Sequence, residues 1–264
     1  MILSAVASSM IVAGRNDVAL ARNLRTAAIA EAAADGAIHQ AAFHSVPCTE
    51  AGCTAWPTDG APIDASREGI RVAVCLTDES GKVNPNKANP ALLAALLGAV
   101  GVPDPEAMTL ADAIAAWHTR NASPAAIADR TAQYRRAGLP FAPDGRNFTD
   151  VSDLRFVLGM TPAILDRLRP SLSIWNQADP DPRLATPAIR AALEKLLATD
   201  PVSLMNLGPI AMAAGPRALT VTASASVERG ARFTRSAVIS LERDPSKPPL
   251  RILNWSTAPA TPCG

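Results

Sequence analysis

The first 45 residues of this 264-residue chain contain no proline, and this constrains the fold more than any other feature. Residues 15–45 are rich in Ala, Leu, Arg and Glu, which are among the strongest helix formers. Val46-Pro47 ends the run, because a residue that precedes proline resists the helical conformation. The sequence therefore predicts one helix of about 45 residues, about 65 Å long at 1.5 Å per residue.

This predicted helix has apolar surface on more than one side. Glu31, Asp35 and His39 follow one another at four-residue spacing and so form a single stripe. Three basic residues lie elsewhere on the surface: Arg15, Arg22 and Arg25. A helix that is apolar on several sides is covered on several sides. We therefore expect part of it to pack on its own domain and part on another molecule.

Residues 1–13 (MILSAVASSMIVA) are apolar and uncharged. They are shorter than the roughly 20 residues that span a membrane, and no basic region precedes them as in a signal peptide. Two interpretations stay open. The segment is the start of a buried helix, or it is the carboxyl half of a membrane span whose beginning lies upstream.

Beyond the helix, the pattern changes between strand and helix periods. One alternating segment, 67–79, predicts a half-buried strand, a helical block follows it, and β-branched runs return near the carboxyl end. The predicted late strands are 218–228, 233–243 and 250–257. A lone strand cannot satisfy its backbone groups, so we expect 67–79 to pair with the late strands. The predicted fold class is α+β, with a helical domain inserted into a sheet domain, and the predicted ranges are 1–82 (helix and first strand), 83–205 (inserted helical domain) and 206–264 (late strands).

Capping signals mark the helices of the central block. Proline follows a capping residue at Asn89-Pro90, Thr161-Pro162 and Thr186-Pro187, and Pro124 opens a further helix. Two more helices are predicted from capping residues alone: LADAIAAWHTR with Thr109 as the cap, and DLRFVLG with Thr149 or Ser152 as the cap.

Charge and motifs exclude several classes of function. The 25 Lys and Arg against 24 Asp and Glu give a net charge of +1, which provides no general electrostatic hold on nucleic acid or on an anionic membrane surface. The sequence has no G-x-S-x-G and no H-E-x-x-H motif. Ser80-Gly81-Lys82 lacks the upstream glycine of a phosphate-binding loop. We therefore predict no catalytic residues and no enzyme activity.

The four cysteines lack the C-x2-C spacing of a zinc ribbon. An even number without metal spacing is compatible with disulfides in an oxidising compartment. Three connectivities are open, of which Cys48–Cys53 is preferred, with Cys75 and Cys263 left to pair or to stay free.

Four stretches carry longer and more specific patterns. They are LARNLRTAAIAEAAADGAIHQA, VCLTDESGKVNPNKANPALLAALL, LADAIAAW and the segment from Tyr134 to Trp175 (YRRAGLPFAPDGRNFTDVSDLRFVLGMTPAILDRLRPSLSIW), and together they cover most of residues 20–200. These stretches resemble the K class of minor pseudopilins in bacterial type II secretion. The first is similar to that family's amino-terminal helix, and the second to its strand and D-E-x-G-K-h-N-h-N motif.

The resemblance implies a pseudopilin fold, in which a long helix lies on an antiparallel sheet and a large helical domain is inserted. It implies a subunit at the tip of the periplasmic pseudopilus that starts and caps the fibre, with the inner membrane reached through the helix. The implied partners are the I, J and H classes, and no nucleic acid. It also implies that a leader and the first part of the membrane span precede this chain. From the unmatched apolar surface of the helix we predict these partner-binding residues: Arg15, Val18, Arg22, Leu24, Ile29 and Glu31.

The family also implies calcium, bound through a D-W-x-D-x-D region. Residues 116–121 read AWHTRN here and contain no carboxylate, whereas calcium takes several oxygen ligands, usually including carboxylates. We therefore predict no cofactor and no calcium site of that form, with Asp129, Asp144 and Asp150 as weak replacement ligands.

Residues 148–170 (FTDVSDLRFVLGMTPAILDRLRP) also resemble a helix-hairpin-helix, which binds DNA phosphates through backbone N–H groups. That device ordinarily has two glycines, and only Gly159 is present. A DNA-binding or DNA-uptake protein is the alternative function.

Overall fold

The computed structural model contains an α+β protein with one long helix, a five-stranded sheet and a helical region between the first long strand and the later ones. It describes residues 2–46, 55–120, 122–199, 217–228, 230–242 and 246–257, with side chains from residue 14 onward. The chain divides into two compact units, one of Met1–Asp78 with Leu219–Gly264 and one of Glu79–Ala218. The predicted division at 82/83 and 205/206 stays a prediction, and its second boundary lies outside the described residues.

The first unit contains helix α1 (Ile2–Ser45), and the prediction of one long helix is confirmed. Its sheet has the strand order β1-β2-β3-β4-β5. The strands are β1 (Ile63–Asp64), β2 (Ile70–Asp78), β3 (Arg217–Val227), β4 (Arg232–Leu241) and β5 (Leu250–Thr257).

The early strand pairs with the late ones across the helical region, as predicted. β2 runs antiparallel to β3, from Ile70 opposite Val227 to Asp78 opposite Leu219. Hence backbone groups that β2 could not satisfy alone are satisfied by a strand more than 130 residues further along the chain. The α+β fold predicted from the sequence is confirmed.

The core of the first unit lies between α1 and one face of the sheet. Small helix residues such as Ala34 and Ala41 meet larger side chains of the strands, such as Leu76, Val221 and Ile239. Because alanine is small, the helix axis can lie close to the sheet while the strands supply most of the apolar volume.

The second unit is a helical bundle with its own core. Its α-helices are α2 (Pro90–Ala99), α3 (Asp104–Trp117), α4 (Pro124–Arg136), α5 (Pro162–Leu168) and α6 (Pro187–Thr199). Three 3₁₀ segments accompany them: Glu79–Gly81, Val151–Phe156 and Arg169–Ser171. Fully buried Leu92, Leu96, Leu110, Leu154 and Ile189 form the centre of this core.

Two asparagines of the G-K-h-N-h-N stretch hold the loops of the second unit together. The Asn84 side chain donates to the carbonyls of Ile174 (3.1 Å) and Asn176 (2.7 Å). Asn86 donates to the Phe148 carbonyl at 3.0 Å and accepts from the Phe148 N–H at 2.8 Å. These residues therefore have a structural role: they satisfy backbone groups in loops that lack ladder partners.

Candidate interaction surface on the long helix

Among the helix residues whose side chains are described, those from 14 onward, the buried ones lie in the carboxyl-terminal half of α1. Ala30 is the first buried residue, and Ala34, Ile38 and Ala41 pack in the core that α1 shares with the sheet. The turn between β3 and β4 lies beside Thr26, since a Cβ built on Gly230 would be 3.0 Å from the Thr26 Cβ. The sheet therefore ends near Thr26, and the helix continues beyond it.

Apolar side chains remain exposed on that amino-terminal extension. Val18, Leu20 and Leu24 are 52%, 58% and 63% exposed. Leu20 and Leu24 fall at helical spacing from Ala34 and Ile38, so the face that packs on the sheet continues past the end of the sheet. This part of α1 has the apolar face of a packed helix, and none of the residues that the structure describes covers it.

The six predicted partner-binding residues lie on two faces of α1. Four of them share one side, since spacings of three, four and seven residues return to the same side: Arg15, Val18, Arg22 and Ile29. Leu24 and Glu31 lie seven residues apart on another side. Arg15, Val18, Arg22 and Leu24 are exposed, and Ile29 is half-buried.

Glu31 is engaged within the chain. It accepts a hydrogen bond from Arg235 of β4 at 2.7 Å, and Asp35 accepts from the same guanidinium at 2.6 Å. The hydrogen bond to Asp35 is the main cause that raises the pKa of Arg235. Arg235 also lies 4.7 Å above the Phe233 ring. We refer to Glu31, Asp35 and Arg235 as the helix–sheet ion cluster.

Part of this cluster could be predicted from the sequence. Glu31 and Asp35 are four residues apart, so their carboxylates point from the same side of α1. Arg235 occupies an inward-facing position of β4, in the alternating series that includes Ala237 and Ile239. A charge in that series requires an opposite charge, because a buried ion is costly without a partner.

An open groove runs along the other side of α1. It has a volume of about 400 Å³ and is lined by helix residues Ile29, Ala33 and Gly36 and by Ile70 and Val72 of β2. Small residues on the helix leave room there for a side chain from outside. The groove continues the side that carries Val18 and Arg22 toward the sheet.

The comparisons with known proteins agree with the motifs. Residues 73–177 match the family model of the type II secretion system (T2SS), protein K. The resemblance to the K class of minor pseudopilins is thereby confirmed.

The chain also has a counterpart in fold among solved structures. A chain from the crystal structure of the GspK-GspI-GspJ complex from the enterotoxigenic Escherichia coli type 2 secretion system superposes with a TM-score of 0.61 at 15% identity. The match covers 93% of this chain and 99% of that chain. At this identity the likeness shows the fold, which is the predicted pseudopilin arrangement. No curated protein matches the sequence closely enough to count as a relative.

The predicted replacement ligands for calcium do not come together. Asp129 accepts from Gln133 at 2.9 Å, the Asp144 carboxylate pairs with Arg146 at 2.9 Å, and Asp150 caps the 3₁₀ segment. The hydrogen bonds from Ser152 lower the pKa of Asp150. Within the described part of the chain, no three His, Cys, Asp or Glu side chains are placed to hold a metal ion.

The hairpin that resembles a DNA-binding device uses its backbone groups internally. The Leu158 N–H donates to the Tyr134 hydroxyl at 3.0 Å, and the Met160 N–H donates to the Val157 carbonyl at 3.0 Å. The Ile164 N–H donates to the Thr161 hydroxyl at 3.3 Å. Since phosphate binding by this device depends on exposed N–H groups, these three amides do not serve it.

Cys75 of β2 is disulfide-bonded. The other cysteines (Cys48, Cys53 and Cys263) lie outside the described residues, and so does the preferred Cys48–Cys53 pair. Of the two states left open for Cys75, the structure contains the paired one.

A separate finding concerns membranes: among the residues that the structure describes, no helix is both long and apolar enough to span a bilayer.

Proposed function

We propose that this chain is the tip subunit of the type II secretion pseudopilus, and that it starts and caps the fibre through contacts of α1. The observation that carries this proposal is the apolar face of α1 that continues beyond the sheet, with Leu20 and Leu24 more than half exposed. Apolar side chains at helical spacing are covered in a stable assembly. In a fibre, the helices of neighbouring subunits would supply that cover.

The proposed neighbours are the I and J classes of minor pseudopilins. Support comes from the fold match, since the similar chain belongs to a complex named GspK-GspI-GspJ. We assign the contacts to Arg15, Val18, Arg22, Leu24 and Ile29 on the two faces described above. Glu31 would border this surface, because its carboxylate already pairs with Arg235.

Three further parts of the proposal rest on the family resemblance. These are the H class as an additional partner, attachment to the inner membrane through the amino-terminal helix, and the capping role of the bulky helical unit. The chain would act as a structural component of the secretion machinery and not as an enzyme.

The proposed location is the periplasmic side of the inner membrane. The disulfide of Cys75 supports it, because disulfides persist in the periplasm and are rare in the reducing cytoplasm. The match of residues 73–177 to a secretion-system family points to the same envelope location.

Mixing the whole chain with the I-class and J-class subunits encoded in the same genome tests the interface. Light scattering at tens of micromolar should detect a complex with the natural chain. Leu24→Arg should weaken binding at least tenfold, because a charge would be buried at an apolar contact, and tenfold corresponds to about 1.4 kcal/mol.

A matched control is Met108→Arg, since Met108 of α3 is 60% exposed, close to the value for Leu24. It should leave the complex intact. A natural chain that forms no complex would contradict the proposed partners. Equal binding by Leu24→Arg and Met108→Arg would contradict the proposed surface.

A further inference from the structure

The connection after α3 is where the family resemblance leads us to expect calcium, and its residues do not fit that ion. Residues 116–120 read AWHTR and contain no carboxylate, and Asn121 lies outside the described residues. Calcium prefers six to eight oxygen ligands, among them carboxylates. The described residues carry positive charge there instead, since the Arg130 guanidinium reaches the Ala116 carbonyl.

A side-chain cation already lies at the end of α3. The Arg130 guanidinium of α4 donates through Nη1 to the carbonyl of Ala116, in the last turn of α3. Its Nε donates to the Ala126 carbonyl at 3.3 Å. The last carbonyls of a helix have no partner within the helix and carry the negative end of its dipole. The Ala116 carbonyl also accepts from the Thr119 N–H at 3.4 Å, so Arg130 adds positive charge and a further donor at the negative end of α3.

Neutral contacts also hold this part of the chain. Gly145 adopts φ +78° and packs against it so closely that a Cβ would lie 3.2 Å from the Arg120 Cα and 3.3 Å from the Thr119 oxygen. Trp117 stacks on Phe148 with ring centroids 5.7 Å apart. Hence aromatic packing, backbone contact and a guanidinium all act at the end of α3 and the first residues after it.

We propose that Arg130 takes the place of a bound divalent cation in this chain, so that the link between α3 and α4 keeps its fold without calcium. A guanidinium is always charged at physiological pH and donates in a fixed planar geometry. It can therefore neutralise the carbonyl end of α3 permanently, whereas a metal ion does so only while it is bound. This proposal does not depend on the role of the chain in a pseudopilus.

The first test compares the thermal unfolding of two variants of the full chain. Arg130→Met keeps an unbranched apolar stem but removes the charge and both donors, and should lower the melting temperature by roughly 3–10 °C. The matched control is Arg136→Met on the same helix, whose side chain is 71% exposed and reaches Asp129 only at 3.8 Å. The control should shift by less than about 1 °C. Equal shifts of the two variants would overturn the proposal.

The second test uses the natural chain and does not depend on the folding of any variant. Melting temperatures are measured in EDTA and in millimolar calcium chloride, and calcium is titrated calorimetrically. We expect identical melting temperatures and no binding heat. A site with micromolar affinity would raise the melting temperature by several degrees in millimolar calcium, because a ligand that binds only the folded state stabilises it. A rise of more than about 2 °C would overturn the proposal.

Discussion

Replacing Arg235 by methionine tests whether the helix–sheet ion cluster holds α1 on the sheet. Arg235 is 8% exposed, and it contacts Asp35 at 2.6 Å and Glu31 at 2.7 Å. A hydrogen bond to a charged group contributes about 1.5–3 kcal/mol. Breaking a fully buried ion pair costs about 3–5 kcal/mol, but the Asp35 and Glu31 side chains are 32% and 50% exposed and can regain water. We therefore expect Arg235→Met to lower the free energy of unfolding of this unit by about 2–3 kcal/mol.

Removing the acids one at a time gives a sharper form of this prediction. Asp35→Asn should cost more than Glu31→Gln, because Asp35 accepts two hydrogen bonds from Arg235 and Glu31 accepts one. Exposure leads to the same order. Asp35 is more buried than Glu31, so water screens its attraction to Arg235 less.

Hydrogen–deuterium exchange of the β4 amides is the suitable assay, because it reports the opening of the first unit separately from that of the helical unit. Arg232→Met is the matched control, since Arg232 lies on the same strand with its side chain exposed. A loss below about 0.5 kcal/mol for Arg235→Met would refute the reasoning, as would a loss equal to that of Arg232→Met. A larger cost for Glu31→Gln than for Asp35→Asn would refute the assigned geometry.

Three further predictions concern single residues. Burial raises the pKa of Tyr134 above its ordinary value of 10, so the stability that this residue contributes is present below pH 10 and is lost as the pH rises through the folded-state pKa. Because the chain has one tyrosine, ultraviolet titration should show a single midpoint above 10. A midpoint at or below 10 would contradict the burial. Asn84→Ala should lower stability by about 2–3 kcal/mol in urea unfolding, because two buried carbonyls lose their donor; a loss below 1 kcal/mol would exclude this role. Gly36→Ala should raise stability by about 0.5–1 kcal/mol, because Gly36 lies within α1 with open space at its Cβ, and a lower melting temperature would show an unexpected contact.

The sequence determined the larger elements because their signals are strong and local. Without proline, and with strong helix formers throughout, residues 2–45 have no alternative to a helix. The pairing of β2 with β3 followed from the requirement that a strand satisfy its backbone groups. Neither inference needed a distance between residues far apart in the chain.

Two helix starts in the central block were predicted wrongly. Thr109 was expected to cap a helix, but α3 begins at Asp104 after Pro103, and the Thr109 hydroxyl donates to the Pro105 carbonyl at 2.9 Å. Inside a helix, a threonine hydroxyl can donate to the backbone carbonyl four residues earlier. A threonine therefore indicates the start of a helix only where no earlier start signal exists. The earlier signal here was Pro105 in the first turn, between two acidic residues, Asp104 and Glu106.

The segment after residue 149 was also assigned incorrectly. An α-helix capped by Thr149 or Ser152 was expected, whereas Val151–Phe156 is a 3₁₀ segment capped by Asp150. Asp150 accepts from the Ser152 N–H, and Asp153 accepts from the Asp150 N–H, which is a reciprocal cap. Several neighbouring residues could have capped this segment, and only the backbone conformation selects among them.

The ion cluster was beyond reach of sequence analysis for a different reason. Glu31 and Asp35 are about 200 residues from Arg235 in the chain, and the three meet only because β4 is placed under α1 in one register. A shift of one residue in β4 would turn Arg235 to the opposite face of the sheet. The acid stripe was visible in the sequence, but its partner depends on sheet order and register together.

The two halves of α1 have different physical roles, and their compositions differ accordingly. Where α1 lies on the sheet, its buried face consists mainly of alanine, because close approach of helix and strand leaves little volume for larger side chains. Where the sheet has ended, the same face carries Leu20 and Leu24, which are too exposed to stabilise this chain alone. Larger side chains on an unsupported face contribute free energy only when another molecule covers them. The change from alanine to leucine along one face of α1 therefore separates the part of the helix that folds the subunit from the part that is available to assemble it.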